Sequence, residues 1–130
     1  MASLFTKIIQ GEIPSYKITE NEYGFAFLDI NPLRAGHTLV VPKKEVDYLF
    51  DLPEREYTAL WQLSKEVAHA VGKAIPCNRV GVAVVGLEVP HAHIHLIPID
   101  RVSDMDFSRP KLEFSEEEFQ EVRKKIAANL

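Results

Sequence analysis

The chain has 130 residues, enough for one domain with a full hydrophobic core and too few for two comfortable ones. Hydrophobic residues make up 46% and charged residues 26%, an ordinary globular balance that excludes wholesale disorder. The net charge of −4, with lysines and arginines scattered among acids, excludes a nucleic-acid stripe and a polybasic membrane patch, while leaving room for a small phosphorylated ligand in a local pocket.

Near the start, Leu4, Phe5, Ile8 and Ile9 recur at helical spacing after Ser3, an N-cap residue type, and Gly11 with Pro14 ends the segment. Tyr16 to Asp29 predicts a hairpin, with Glu20-Asn21-Glu22 as the turn and Tyr23 to Leu28 as an apolar strand. Asn31 to Gly36 predicts a loop, followed by a β-branched strand from His37 to Val41 that Pro42 stops. Asp51 followed by Glu54 predicts a helix N-cap. Tyr57, Leu60, Trp61, Ser64, Val67, Ala68 and Val71 then carry the longest helix, with Trp61 as packing and His69 off the apolar stripe. Arg79 to Val85 and His91 to Ile99 predict two strands that pair antiparallel. Ser115 with Glu118 predicts a capping box opening a final helix over about 115–128, and Lys124 and Lys125 suit its C-terminal dipole. Sequence-adjacent strands with helices grouped between and after them indicate an α+β fold. One domain spans 1–130, with a core over about 4–108.

Cys77 is the only cysteine, so no intramolecular disulfide or cysteine pair for metal is available; its expected role is a small buried or loop thiol. The opening residues lack the basic, apolar and small-residue series of a secretion signal, and no apolar run approaches the roughly 20 residues of a membrane span. A cytoplasmic location is the expectation.

Three of the five histidines occupy alternating positions in His91-Ala92-His93-Ile94-His95. On a strand the imidazoles share one face while Ala92, Ile94 and Leu96 share the other. Internal placement and interleaved apolar residues rule out a purification tag, and strict period two makes a chance run on a wet face a weak reading. Metal binding is a stronger rival. His91 and His95 lie roughly 13 Å apart on an extended strand, so one ion would need a ligand from elsewhere, such as His37, Asp29 or Glu88. Catalysis asks instead for a nucleophile with assistants on both sides, and His93 is so placed. Imidazole attacks phosphorus well and leaves well, so it can carry a phosphoryl or nucleotidyl group transiently. His91 and His95 can orient it or donate to phosphate oxygens, and His37 can supply a fourth imidazole.

His91-Ala-His-Ile-His-Leu-Ile97 resembles the signature of the histidine triad family of nucleotide hydrolases and transferases, with the phosphoramidase branch the nearest in kind. Phe5 to Pro14 is similar to the family's opening helix and turn, Phe27-Leu-Asp-Ile-Asn-Pro32 to its ribose-contacting segment, and Gly36 to Lys43 to its following strand. The resemblance implies an antiparallel meander of about five strands with one long helix and a C-terminal helix, whose sheet joins that of a second copy in a homodimer. It implies that His93 attacks the α-phosphorus of a purine nucleotide, supported by His91, His95 and His37, with Asp29 and Ile30 at the ribose. It needs no cofactor. Two further readings stay open: a dinucleoside polyphosphate hydrolase, and a nucleotide-binding protein with little turnover.

The chain also departs from the family pattern. Many members carry Cys-x-x-Cys and a later histidine for a structural zinc; Ser3, Thr6 and Glu45 stand at those positions, so no metal is expected. Where the family commonly has a phosphate-contacting glutamine, this chain has Leu87. Phosphate binding then falls to the histidines and to backbone N–H groups around Glu88 and Val89.

Overall fold

The computed structural model describes residues 2–130. Five antiparallel strands form one open sheet: β1 (Lys17–Glu20), β2 (Gly24–Leu28), β3 (Thr38–Pro42), β4 (Arg79–Ala83) and β5 (Ile94–Ile99), in the order β1-β2-β3-β5-β4. The helices are α1 (Leu4–Ile9), α2 (Glu54–Ala74) and α3 (Glu116–Ala127), with short 3₁₀ turns at Leu49–Asp51 and Val102–Met105. This is the expected α+β arrangement.

Period-two side-chain alternation divides the sheet into two apolar layers. Ala26, Leu28, Val40, Ile94 and Leu96 face α2, where they meet Leu60, Leu63, Val67, Ala70 and Val71. Phe25, Phe27, Leu39 and Val41 face the other way and meet Phe5 and Ile8 of α1. α3 joins the first layer through Phe119 and Ile126. Its N-terminus is closed reciprocally: Glu118 N–H donates to Ser115 Oγ at 3.1 Å, and Ser115 N–H donates to Glu118 Oε1 at 2.8 Å.

Two expected boundaries are corrected. Asp51 does not cap α2; it closes the 3₁₀ turn, Pro53 stands at the N-cap without a side-chain bond, and the helix begins at Glu54. Burial of Leu49 and Leu52 sets the path of that segment, and Glu54 and Glu56 meet the dipole instead. β5 begins at Ile94 rather than His91. Pro90 lacks a donor, His91 N–H turns back to Val89 O, and Ala92 N–H bonds Val46 O at 2.7 Å, so this stretch pairs with loops rather than with β4. Residues Val84 and Val85 consequently have no partner strand, and β4 stops at Ala83. Side-chain alternation survives the change: Ala92 packs in the α2 layer while the histidines face the side of α1.

Candidate active site

On the α1 face, Phe27, Leu39 and His95 form a cross-strand row, because β2–β3 pairing sets Phe27 opposite Leu39 and β3–β5 pairing sets Leu39 opposite His95. This row floors a cleft of about 370 Å³. Phe5, Ile8, Ile13 and Val89 give it apolar walls, Asp29, Ile30 and Asn31 form one rim, and Gly86, Leu87 and Glu88 form another. Three imidazoles, His37, His93 and His95, reach the cleft; His91, fully buried, lies behind them and does not. Edge-to-face contacts lock the rings together, with Phe5 5.0 Å from His93, His93 4.9 Å from His95, and Phe107 4.8 Å from His95.

Hydrogen-bond chemistry fixes the tautomers of these four rings, since a carbonyl can only accept and a backbone N–H can only donate. His91 Nε2 sits 2.8 Å from Pro42 O and must carry hydrogen, so its Nδ1 accepts from Ser3 Oγ at 2.7 Å. His93 Nδ1 lies 2.8 Å from His91 O and carries hydrogen, which leaves a lone pair on Nε2. Leu33 N–H donates to His37 Nδ1 at 3.0 Å, so His37 Nε2–H donates to His95 Nδ1 at 2.9 Å. The remaining hydrogen of His95 is on Nε2. Neither His93 Nε2 nor His95 Nε2 has a protein partner, and neither is sealed from solvent, so both open onto the cleft. A lone pair and an N–H donor thus stand side by side.

Burial supports the neutral forms. It pushes His37 and His95 each down to about 3, helped at His37 by the charge of Lys111 and at His95 by the neighbouring His37. Burial also lowers His91. Gly36 makes the turn into His37 possible: its φ of +90° is in the glycine region, and a Cβ would meet Ile75 Cγ1 at 2.8 Å.

Asp29 faces the cleft rim with Oδ1 accepting from Asn31 N–H at 2.8 Å and Oδ2 3.6 Å from His37 Nε2. Ile30 and Glu88 are exposed at the mouth, and Val89 is half-buried. Asp29, His37 and His95 bring their ligand atoms within 4.8 Å of one another, a grouping that could receive a cation. Their detailed spacing favours hydrogen bonding. The two nitrogens lie 2.9 Å apart, closer than the roughly 3.3 Å separating two ligands of a tetrahedral zinc.

Behind the cleft, Ser3, Thr6 and Glu45, where the resemblance would set a structural zinc, form a hydrogen-bonded clasp. Glu45 Oε1 accepts from Ser3 N–H and from Thr6 Oγ1–H, each at 2.6 Å, and Ser3 Oγ also caps α1 by accepting from Thr6 N–H. These bonds, first the Thr6 hydroxyl and then the Ser3 amide, hold Glu45 down to about 2. Two hydroxyls and one carboxylate are a poor zinc set, and the only imidazole among them is already committed to Ser3.

The apolar walls Phe5, Ile8 and Ile13, and two residues beyond β5, lie outside the site residues that the sequence indicated. Phe107 and Lys111 come from the irregular segment after β5, whose only sequence signal is the run of polar and turn residues from Ser103 to Pro110. His69 is exposed on α2, and Trp61 packs half-buried against the core.

The HIT domain family model matches residues 10–102. The chain is 35% identical to the adenosine 5'-monophosphoramidase of Saccharomyces cerevisiae, over an alignment covering 99% of this chain and 83% of that protein. An uncharacterised HIT-like protein of Borreliella burgdorferi is 34% identical, with 98% of this chain and 97% of that one aligned. Among solved structures, a HIT-like protein from Bartonella henselae matches with a TM-score of 0.86 at 32% identity, covering 98% of this chain and 96% of the other. A zinc-bound histidine triad family protein from Mycobacterium smegmatis matches at 0.81 and 26% identity, covering 98% and 95%. From its sheet order, its row of histidines and these alignments, the chain belongs to the HIT domain family.

Proposed function

We propose that this protein hydrolyses the bond between the α-phosphorus of a purine nucleotide and its leaving group, a nucleoside phosphoramidate first of all, through a covalent nucleotidyl intermediate on His93. One observation carries the reading: the bond from His93 Nδ1–H to His91 O directs a lone pair on Nε2 into the cleft. Attack forms the N–P bond and breaks the P–N bond, the amine departing with a proton from solvent. Positive charge then gathers on the His93 ring, where His91 O already accepts the Nδ1 hydrogen. His95 Nε2–H donates to the phosphoryl oxygens or the leaving group. Water then attacks phosphorus and returns a proton to solvent, the N–P bond breaks, the monophosphate leaves, and Nε2 regains its lone pair.

In this reading the apolar slot of Phe5, Ile8, Ile13 and Phe27 takes the base. Asp29 Oδ2 accepts from the ribose hydroxyls, with Ile30 beside the sugar. Backbone N–H groups of Glu88 and Val89 complete the phosphate site. Similarity to an adenosine 5'-monophosphoramidase supports adenosine as the nucleoside. The fold also suits a homodimer: β4 is an edge strand with unpaired backbone groups, with Val82 exposed on it and Val84 and Val85 exposed just beyond its end. Among the described residues no helix is long and apolar enough to cross a membrane, and an unpaired Cys77 suits the reducing cytoplasm.

The test is release of monophosphate from an adenosine phosphoramidate by the wild-type chain and by His93→Ala. The variant should fold and bind AMP but lose turnover, because the change removes the attacking nitrogen and leaves the sheet and the base slot in place. Turnover by His93→Ala at a rate near wild type would overturn the proposal.

A further inference from the structure

The cleft described above has an imbalance of charge. Among the described residues lining it, Asp29 and Glu88 carry negative charge, His37 and His95 are held neutral, and Lys111 alone carries a permanent positive charge. A phosphate entering this space meets two carboxylates, and Leu87 on the opposite rim offers only hydrocarbon.

Lys111 is held where it could correct the imbalance. The segment bearing it is pinned at both ends: Arg34 pairs with the buried Asp104, and Leu112 N–H donates to Pro32 O at 2.8 Å, next to the Asp29–Asn31 rim. Between these anchors Phe107 lies edge-on to His95 with ring centres 4.8 Å apart. Lys111 Nζ donates to the carbonyls of Phe107 and Arg109, which tether the ammonium to the backbone of the residue whose ring packs against His95. An ammonium has three hydrogens, so one donor stays uncommitted. Its charge is felt at His37, whose protonation it opposes.

We infer that Lys111 is a phosphate-binding residue, its free N–H and positive charge engaging the oxygens of the phosphoryl group that sits between His93 and His95. The inference rests on the nucleotide reading above and deepens it. It assigns part of the phosphate site to the segment after β5, and gives Lys111 the donor role that Leu87 cannot fill.

The experiment is calorimetric titration of the wild-type chain, Lys111→Ala and Lys111→Arg with AMP and, separately, with adenosine, at low and high salt. Losing a charged hydrogen bond should weaken AMP binding by about tenfold or more in Lys111→Ala. Adenosine affinity should change less than about twofold, and Lys111→Arg should retain most of the AMP affinity. Added salt should weaken AMP binding to the wild type more than to Lys111→Ala. Equal losses for AMP and adenosine, or no loss for either, would overturn the role of Lys111 while leaving the nucleotide site standing. Failure of the wild-type chain to bind either ligand would instead remove the nucleotide reading, and this inference with it.

Discussion

Acidification tests the neutral histidine pair directly. In the unfolded chain His37 and His95 would titrate near 6.5, whereas in the fold each is held down to about 3. Between those values the unfolded chain binds the protons and the folded chain does not, so stability is fully present above 6.5 and drains away as pH falls toward 3. At pH 5 unfolding takes up about two protons, and integration from pH 7 to pH 5 gives a loss of about 4 kcal/mol. His91, also lowered, adds to the loss. The clasp carboxylate Glu45 and the Asp104 carboxylate that pairs with Arg34, both held at about 2, act in the same direction, but from ordinary values of 4.5 and 3.8, so they contribute mainly below this window. Urea unfolding at pH 7, 6 and 5 measures the effect, and ¹⁵N histidine spectra report the tautomers. The spectra should show Nδ1–H on His93 and Nε2–H on His37, His91 and His95. Unfolding midpoints that coincide at pH 7 and pH 5, or a resonance of His37 or His95 titrating near 6.5, would mean that the fold does not hold this pair neutral.

Three other perturbations separate the parts of the site. Asp29→Ala should weaken adenosine by about tenfold through loss of hydrogen bonds to a charged acceptor, yet leave 2',3'-dideoxyadenosine unaffected; matching losses in parallel titrations would remove the ribose role. Leu87→Gln places an amide at the exposed loop beside the cleft, and steady-state assays with the phosphoramidate should show higher kcat; no gain would mean the loop does not present a side chain to the phosphate. Ser3→Ala removes both the α1 cap and the hydrogen given to His91, with an expected cost of about 1–2 kcal/mol in urea unfolding. It should also lower kcat more than it raises KM, with partial rescue by Ser3→Thr.

Much of this architecture was legible because periodicity maps directly onto burial. Alternation along the run from His91 assigned the three imidazoles to one side and Ala92, Ile94 and Leu96 to the other, and those three apolar residues pack in the α2 layer. Ser115 and Glu118 announced α3 through chemistry confined to one helical turn. Asp51 misled for the reverse reason: its local signal was sound, but burial of Leu49 and Leu52 overrode it. The strand drawn from His91 failed because Ala92 N–H finds Val46 O, a partner 46 positions earlier.

The amino-acid order determined by itself that three histidines would share a side and that the middle one would have imidazoles on both flanks, since these follow from side-chain direction along an extended chain. It could not determine what each ring does. Only the tertiary structure set His91 behind the cleft, brought Leu33 N–H to His37 and His37 to His95, packed Phe107 against the His95 ring and set Lys111 at the cleft. Tautomer, charge and access depend on which donors and acceptors distant segments deliver to a nitrogen, and those deliveries follow from the packing of the whole domain.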